Sequence, residues 1–335
     1  MSKNSEKVAA IKKTITESFV KALEEGLTHP EGWQPPWHTT GLRGAVNATT
    51  GKRYHGGNVL WLSMSDHGGP WATYKQWASV GAQVRKGSVS TSILTPMPFK
   101  KEDKDTGKVK SGVFFGTANL FSADQVFVKA PCPNPDCDVI TVGFKTEGTC
   151  ESCEGHGFVD GGPWQVAEVP ATEGELPAEA EAFLAAVAAE ITTVTSGEPR
   201  AYYSPGSDRV HLPVAFKTAE GRFSISAHEY GHASGAKSRL DRDGVTGHHA
   251  FGSSEYAKEE LIAEFTSAFL GAALGVETEM AVEGGIGQNH ADYLANWLAV
   301  LKSDTTAVWQ AATAASKASE FLLDLAASKA EKAAA

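Results

Sequence analysis

The sequence predicts an α+β protein with two domains, and three observations lead to this fold class. Apolar residues recur every three or four positions over residues 5–26, which indicates an amphipathic opening helix. Residues 27–130 are rich in Gly, Pro, Trp and Thr with short apolar runs, a pattern typical of strands joined by turns. The final part of the chain is rich in Ala at helical spacing. A chain of 335 residues also exceeds the roughly 150 residues of one common domain.

Two segments are predicted to connect elements of regular structure. The charged segment KKEDKDTGKVK (100–110) surrounds a Gly and predicts an exposed hairpin tip or loop. The segment AEVPATEGELPAEAEAF (167–183) is acidic and contains Pro, which makes it the best linker candidate. We therefore predict a first domain at 1–130, an insert with the return of that domain at 131–166, a linker at 167–183 and a second domain at 184–335.

The charge of the chain is unevenly distributed. The net charge is −10, yet residues 1–130 hold 17 Lys and Arg against 10 Asp and Glu, and the remaining residues hold 13 against 30. A basic half suits a polyanion such as nucleic acid, and an acidic half repels one. Any nucleic-acid role is therefore expected in the N-terminal half. The alternative is a charged surface that only contacts solvent.

The N-terminal residues alternate charge with short apolar steps and lack the apolar centre of a signal peptide. No apolar run approaches the roughly 20 residues that a membrane-spanning helix needs. We therefore expect a cytoplasmic protein with no membrane partner. In that compartment the four cysteines are better explained as metal ligands than as disulfides.

The segment ISAHEYGH (225–232) contains the pattern H-E-x-x-H. On a helix, His228 and His232 lie on one face and can bind one metal ion, because residues four apart are neighbours. Glu229 is then placed to accept a proton from a water molecule that the metal activates. This pattern predicts the metal site of a zinc peptidase. The longer form of the motif is excluded, because it requires His at 238, which is Ser238 here.

A catalytic zinc needs a third protein ligand. The segment AKEELIAEFTSAFLGAALG (257–275) predicts a helix on which Glu260 and Glu264 share a face. We predict Glu260 as the third ligand and Glu264 as a carboxylate that orients a ligand histidine. Glu259 is the alternative ligand if the helix is rotated, and His248 and His249 are weaker rivals in a loop.

The four cysteines form two close pairs, Cys132 with Cys137 and Cys150 with Cys153. This spacing predicts a structural zinc site, because four thiolates leave no open coordination position for catalysis. His156 is an alternative ligand. Free thiols are the alternative explanation of the whole pattern.

Five tryptophans lie within residues 33–77, interspersed with cations. Bases stack on aromatic rings and cations follow phosphates in single-strand binding proteins, although tryptophans more often belong to a core. The residues concerned are Trp33, Trp37, Trp61, Trp71 and Trp77, with Lys52, Arg53, Tyr54, Lys75, Arg85 and Lys86 among them.

The order of these motifs resembles that of ArdC-type antirestriction proteins and related plasmid and phage polyvalent proteins. The N-terminal motifs are YHGGN (54–58), WATYKQ (71–76), VRKG (84–87) and ANLFSADQ (118–125). The C-terminal motifs are DRVHLP (208–213), HEYGH (228–232), SRLDR (238–242) and residues 251–264. The cysteine insert is a departure from the family pattern.

The resemblance implies an N-terminal α+β domain that binds single-stranded DNA, followed by a mostly helical zincin-like metallopeptidase domain. The aromatic and basic pattern and the resemblance together predict DNA contacts at Lys52, Arg53, Tyr54, Asn58, Trp71, Tyr74, Lys75, Gln76, Arg85 and Lys86. The cofactors are then two Zn²⁺ ions, one catalytic and one structural, with Mn²⁺ as an alternative at the catalytic site.

The expected function is protection of invading mobile-element DNA from host restriction. In the leading hypothesis the protein hydrolyses a DNA-associated protein, and the DRVHLP strand pairs with the extended peptide substrate. In a rival hypothesis the DNA-binding domain protects by coating DNA, and the metal site is structural or vestigial. A third is proteolysis of proteins crosslinked to DNA.

Overall fold

The computed structural model describes residues 3–29, 35, 37, 41–102, 109–137, 140–142, 145–147, 150–154, 156, 158–165, 175–247, 249, 253–278 and 290–334. The chain groups into two compact units. The larger unit contains residues 1–43, 54–64 and 169–335, and the smaller unit contains residues 44–53 and 65–168. The smaller unit is thus inserted into the larger one along the chain, which differs from the predicted division into consecutive domains.

The architecture is α+β, as predicted. The helices are α1 (Lys3–Thr28), α2 (Gly41–Gly44), α3 (Gly57–Ser63), α4 (Tyr74–Ser79), α5 (Ala178–Glu190), α6 (Ala219–Ser234), α7 (Asp243–Thr246), α8 (Ser254–Leu274), α9 (His290–Ser303) and α10 (Ala307–Ala334). The strands are β1 (Trp71–Thr73), β2 (Ala82–Val84), β3 (Thr91–Glu102), β4 (Val109–Ser122), β5 (Val126–Pro131), β6 (Ile140–Val142), β7 (Lys145–Glu147), β8 (Phe158–Pro163), β9 (Thr193–Ser196), β10 (Tyr202–Ser204) and β11 (Arg209–Pro213).

Antiparallel strands form most of the smaller unit. One sheet has the order β1-β4-β3, a second has the order β2-β5-β8, and β6 pairs with β7. β3 and β4 pair without interruption from Thr91 opposite Leu120 to Glu102 opposite Val109. The hairpin predicted around residues 100–110 is therefore confirmed. Its residues 103–108 lie outside the described part of the chain.

Trp77 is the centre of the core of the smaller unit. It is fully buried among small and branched residues of both sheets, including Ala82 and Val126. Its indole N–H donates to the carbonyl oxygen of Phe121 at 2.9 Å, and Trp164 packs edge-on against it. A buried Trp needs such a partner for its N–H. The ring thus links helix α4 to strand β4.

Helices dominate the larger unit. α8 packs against α6 and α10, α5 packs against α10 and α6, and α6 packs against a three-stranded sheet with the order β10-β11-β9. The predicted opening helix is confirmed as α1, whose Phe19 stacks on Trp37 and contacts Phe265 of α8. α1 consequently belongs to the unit that contains the C-terminal helices. Among the described residues, no helix is both long and apolar enough to cross a membrane.

Candidate metal centre

The two histidines of the H-E-x-x-H pattern lie on α6, whose first turn is capped by the hydroxyl of Thr218. Four residues apart, His228 and His232 project from the same side of the helix. Both are buried, and their Nε2 atoms are 3.2 Å apart. The helix therefore directs both imidazole nitrogens to one point, as the sequence predicts.

Helix α8 brings Glu260 to the same point. Its Oε2 is 3.4 Å from Nε2 of His228, and its Oε1 is 3.5 Å from Nε2 of His232. Tetrahedral zinc with bonds of about 2.0 to 2.2 Å places its ligand atoms about 3.3 to 3.6 Å apart. The three side chains thus have the donor chemistry and the spacing for one zinc ion, and they leave a fourth position open.

Two further carboxylates of α8 contact the opposite side of the imidazole rings. Glu264 lies 3.2 Å from Nδ1 of His228, and Glu259 lies 3.4 Å from Nδ1 of His232. A carboxylate at Nδ1 holds the proton there, which leaves Nε2 free to bind a metal ion. Glu264 is placed as predicted. Glu259, the alternative ligand, contacts the far side of His232 instead.

Arg242 holds Glu259 in this position. Its Nη2 donates to Oε1 of Glu259 at 2.6 Å, and its Nε donates to Oε2 at 3.1 Å. The same guanidinium donates to the carbonyl oxygen of Gly231 and to the hydroxyl of Ser234, both on α6. This role could not be predicted from the sequence, although Arg242 lies in the SRLDR motif. An arginine 17 residues from Glu259 carries no signal that the two residues pair.

Glu229 follows His228 on α6 and is 1% exposed. Its negative charge is among the causes that raise the pKa of His228, after the contributions of Glu260 and Glu264. A carboxylate in this position can accept a proton from a group bound at the open position.

Opposite charges set the protonation of the site. Burial opposes protonation of His232, but Glu260 and Glu259 outweigh burial and raise its pKa to about 10. Burial likewise opposes protonation of His228, and Glu260 and Glu264 raise its pKa well above its ordinary value. The same attraction lowers the pKa of Glu260 against the effect of burial. The carboxylates of the cluster therefore favour a positive charge at the two histidines.

The rival histidines are not brought to this cluster. His249 contacts Asp243 through its Nε2 at 3.2 Å, and His248 lies outside the described residues. A groove of about 440 Å³ is lined by Ser226 and Tyr230 of α6. Positions two apart on a helix face different directions, so this groove lies on a different face of α6 from the histidines.

The four cysteines form a second cluster, in the smaller unit. The Sγ atoms of Cys132 and Cys150 are 3.8 Å apart, and those of Cys137 and Cys153 are 3.7 Å apart. Four thiolates around zinc at about 2.3 Å lie about 3.8 Å from one another. A disulfide requires about 2.0 Å. The cluster therefore has the spacing of a closed zinc site.

The surroundings of Cys150 favour a thiolate. A hydrogen bond from the amide of Asn134 to Sγ of Cys150, at 3.4 Å, is the main cause that lowers the pKa of this thiol to about 6. His156, the alternative ligand, is exposed and stacks on Phe158 rather than joining the sulfur atoms.

The predicted DNA contacts are only partly at the surface. Lys52, Tyr74, Lys75, Arg85 and Lys86 are exposed residues of the smaller unit, and Arg53 is half-buried there. Tyr54 and Asn58 belong to the larger unit, where Tyr54 is half-buried. The smaller unit contains 12 Lys and Arg and 12 Asp and Glu, so its net charge is balanced.

The structure contradicts two of these contacts and gives a third a role in the fold. Trp71 is 1% exposed and Asn58 is 7% exposed, so neither offers a surface to a base. The side chain of Gln76 accepts hydrogen bonds from the N–H and the hydroxyl of Thr73 and caps helix α4. Trp71 and Asn58 therefore stabilise the interior, and Gln76 stabilises the first turn of α4.

The tryptophans are also mainly in the interior. Trp37, Trp71 and Trp77 are fully buried, Trp61 is half-buried, and Trp33 lies outside the described residues. Of the two explanations that the sequence left open for these tryptophans, the core explanation therefore holds for Trp37, Trp71 and Trp77. The large apolar rings stabilise the cores instead.

Two family models match separate parts of the chain. Residues 9–125 match the N-terminal domain of the anti-restriction factor ArdC, and residues 178–314 match a zincin-like metallopeptidase domain. Residues 126–177, which contain the four cysteines, lie between the two matches.

Two relatives are similar to this chain along more than 90% of its length. The chain is 36% identical over 328 residues to a DNA primase TraC of Escherichia coli, covering 94% of this chain and 28% of the primase. It is 31% identical over 317 residues to the uncharacterized protein y4eC of Sinorhizobium fredii (strain NBRC 101917 / NGR234), covering 92% of this chain and 90% of that protein. This chain thus spans less than a third of the primase.

The fold is similar to that of the antirestriction protein ArdC from plasmid R388. Its metal-free crystal structure matches with a TM-score of 0.66 at 28% identity, covering 95% of this chain and 98% of that one. Its Mn(II)-bound structure matches with a TM-score of 0.64, covering 94% and 98%.

Metal binding at the histidine cluster should strengthen as the pH rises. Because the pKa values of both imidazoles are raised, a metal ion must displace at least one proton near neutral pH. We expect affinity to rise about tenfold per pH unit for each proton displaced. Chelator competition between pH 6 and pH 9 measures this. Affinity that is independent of pH would contradict the charge balance described above.

Arg242→Gln should weaken metal binding about 10-fold to 100-fold, the usual effect of removing support from a ligand histidine. The substitution leaves Glu259 without the guanidinium that holds it against His232. Arg239→Gln is the matched control, because Arg239 pairs with Asp208 and not with Glu259. Zinc titration of both variants, with melting temperatures alongside, makes the comparison. Equal affinity in the two variants would refute this role of Arg242.

Cys150→Ser should remove one of two bound zinc ions per chain while leaving the histidine cluster loaded. The two clusters share no ligand, so their occupancies should be independent. Metal content of the purified protein tests this, with Ser152→Ala as the control. If both ions are lost together, the sites are coupled and the expectation is wrong.

Proposed function

Because this chain belongs to the family of ArdC-type antirestriction proteins, we propose that it binds single-stranded DNA and hydrolyses a peptide bond in a DNA-associated protein. Such hydrolysis would protect mobile-element DNA of a plasmid or phage from host restriction. Its place would be the cytoplasm of the host cell, where restriction enzymes meet incoming DNA. The substrate protein would be brought to the site by the DNA that both proteins bind.

The proposed peptidase activity rests on the spacing of the ligand atoms of three buried side chains. The Nε2 atoms of His228 and His232 are 3.2 Å apart, and the two carboxylate oxygens of Glu260 lie 3.4 and 3.5 Å from them, one from each. This spacing suits zinc with one open position. Zinc held there supplies a Lewis acid for the peptide carbonyl and the attacking water. Mn²⁺ is the alternative, because the ArdC protein of plasmid R388 has a Mn(II)-bound structure.

The side chains around these ligands then have separate tasks. Glu264 and Glu259 hold the Nδ1 protons of the two imidazoles, which keeps Nε2 available. Glu229 accepts a proton from the attacking water and transfers it to the leaving amine. Its burial keeps bulk water from competing for that proton, because it is 1% exposed.

The DRVHLP strand does not pair with the substrate, contrary to the sequence prediction. It forms β11, which lies between β10 and β9 and has both edges paired. β9 is at the edge of this sheet. We propose that an extended peptide adds to an outer strand of this sheet, β9 or β10, because an edge strand presents backbone donors and acceptors to an incoming strand.

The DNA-binding part rests on the exposed residues of the smaller unit. Tyr74 is 45% exposed and offers a ring to a base, while Lys75 and Lys86 are placed to contact phosphates. Because the unit has no net charge, its attraction for DNA depends on these local contacts.

Glu229→Gln tests the peptidase part. We expect proteolysis to fall by a factor of about 10² to 10⁴, typical for loss of a general base, with folding, zinc content and DNA binding unchanged. Glu220→Gln, on the first turn of the same helix, is the matched control. The measurement is entry of unmodified DNA into a restricting host that makes each variant, with substrate cleavage scored alongside.

Either outcome of that experiment separates the two candidate functions. If Glu229→Gln loses protection and the control Glu220→Gln keeps it, protection requires chemistry at the metal site. Equal protection by wild type and Glu229→Gln would refute the proteolytic function, and would leave DNA coating as the basis of antirestriction.

A further inference from the structure

A row of planar and cationic side chains lies on the strands next to the cysteine cluster. Arg85 follows β2, Phe127 and Lys129 are on β5, Phe158 begins β8, and His156 precedes it. All five belong to the smaller unit. We refer to these five residues as the aromatic row.

Contacts within the row are close. The rings of Phe127 and Phe158 have centroids 6.3 Å apart, and the imidazole of His156 stacks on Phe158 at 5.8 Å with an interplanar angle of 30°. The guanidinium of Arg85 lies 5.3 Å from the centre of the Phe127 ring, and the ammonium of Lys129 lies 4.3 Å from that of Phe158. Each ring thus has a cation over it.

The row is at the surface and does not belong to the core of the unit. The buried cluster is centred on Trp77 and contains neither phenylalanine of the row. His156 is exposed, both phenylalanine side chains are half-buried, and the side chain of Arg85 is 43% exposed. Asp160 pairs with Arg85 and holds the guanidinium over the ring. Packing of the interior therefore does not explain why these rings are stacked at the surface.

We propose that the aromatic row and the four-cysteine cluster form an additional binding site for single-stranded DNA. Unpaired bases stack on Phe and His rings and on guanidinium planes, while nearby cations contact the phosphates. Duplex DNA keeps its bases stacked on one another and cannot use such a row. A row of this length has room for about two or three bases.

The cysteine cluster is placed to support the row. Cys132 directly follows Pro131, the last residue of β5, and Cys153 precedes Phe158, the first residue of β8. A metal ion held by the four sulfur atoms would therefore join the ends of the two strands that carry the rings. Small zinc modules of this kind are known to present side chains to single-stranded nucleic acid.

This site extends the proposed function, on which it rests for the presence of single-stranded DNA. The match to the N-terminal ArdC domain ends at residue 125, whereas four residues of the row and all four cysteines lie after it. The row would lengthen the stretch of DNA that the protein holds beyond the contacts of that domain.

The test uses the zinc-loaded full chain with the double substitution Phe158→Leu and His156→Ala. Leucine keeps an apolar side chain on β8 but removes the ring face. Val128→Ala is the matched control, because Val128 is 37% exposed on β5, between Phe127 and Lys129, and its side chain has neither a ring nor a charge. Binding of oligothymidines of increasing length is measured by fluorescence anisotropy, with melting temperature and zinc content as checks of folding.

We expect the double variant to bind long oligothymidines roughly tenfold or more weakly, since loss of base stacking on a ring has an effect of this size. Its salt dependence should stay close to that of the wild type, because no phosphate contact is removed. Crosslinking of iododeoxyuridine oligonucleotides to the wild type should label the peptide that contains His156 and Phe158.

Three outcomes would overturn the proposal. If the double variant binds like Val128→Ala, the row has no role, and the proposed function stands through the N-terminal contacts. If crosslinks fall only within residues 44–125, the same conclusion holds even when the double variant is unfolded. If the wild type binds no single-stranded DNA, both the additional site and the DNA-binding part of the proposed function fail.

Discussion

The buried contact between helices α6 and α8 is the constraint on which the larger unit depends. Two imidazoles of α6 and three carboxylates of α8 meet there with little exposure to water. A buried ion without a partner costs several kcal/mol, so each of these groups requires an opposite charge or a metal ion beside it. Gly231 permits the close approach, because a Cβ at this position would lie 3.2 Å from Cα of Ala263. The geometry of the metal centre therefore follows from how closely the two helices pack.

The two ligand clusters found among the described residues differ in a way that matches the tasks proposed for them. Two nitrogens and one carboxylate oxygen on helices leave one coordination position open, as catalysis requires. Four sulfur atoms near strand ends close the coordination sphere, which suits a structural role. In both clusters the atoms are already spaced as a tetrahedral metal requires, and side chains that are not ligands orient them. Arg242 does this through Glu259, and Asn134 does it by donating to Cys150.

Aromatic residues of the smaller unit divide between core and surface according to size and partners. Trp77 stabilises the core because its large ring is buried and its N–H reaches a backbone carbonyl. Phe127 and Phe158 remain partly exposed, each with a cation over the ring. A sequence pattern that counts aromatic residues without their burial therefore selects tryptophans for DNA binding and passes over the smaller rings.

Sequence patterns are sufficient to predict the features whose partners are close along the chain. H-E-x-x-H places two histidines on one helix face, and paired cysteines indicate a cluster. Apolar residues at every third or fourth position indicate α1, and a charged segment around a Gly indicates the hairpin of β3 and β4. Tertiary structure decided that Glu260 and not Glu259 faces the metal site, that Arg242 supports Glu259, and that α1 joins the C-terminal helices. The physical reason is that periodicity describes one element at a time. Rotation of a helix about its axis, and burial of a side chain, depend on elements that are distant in sequence.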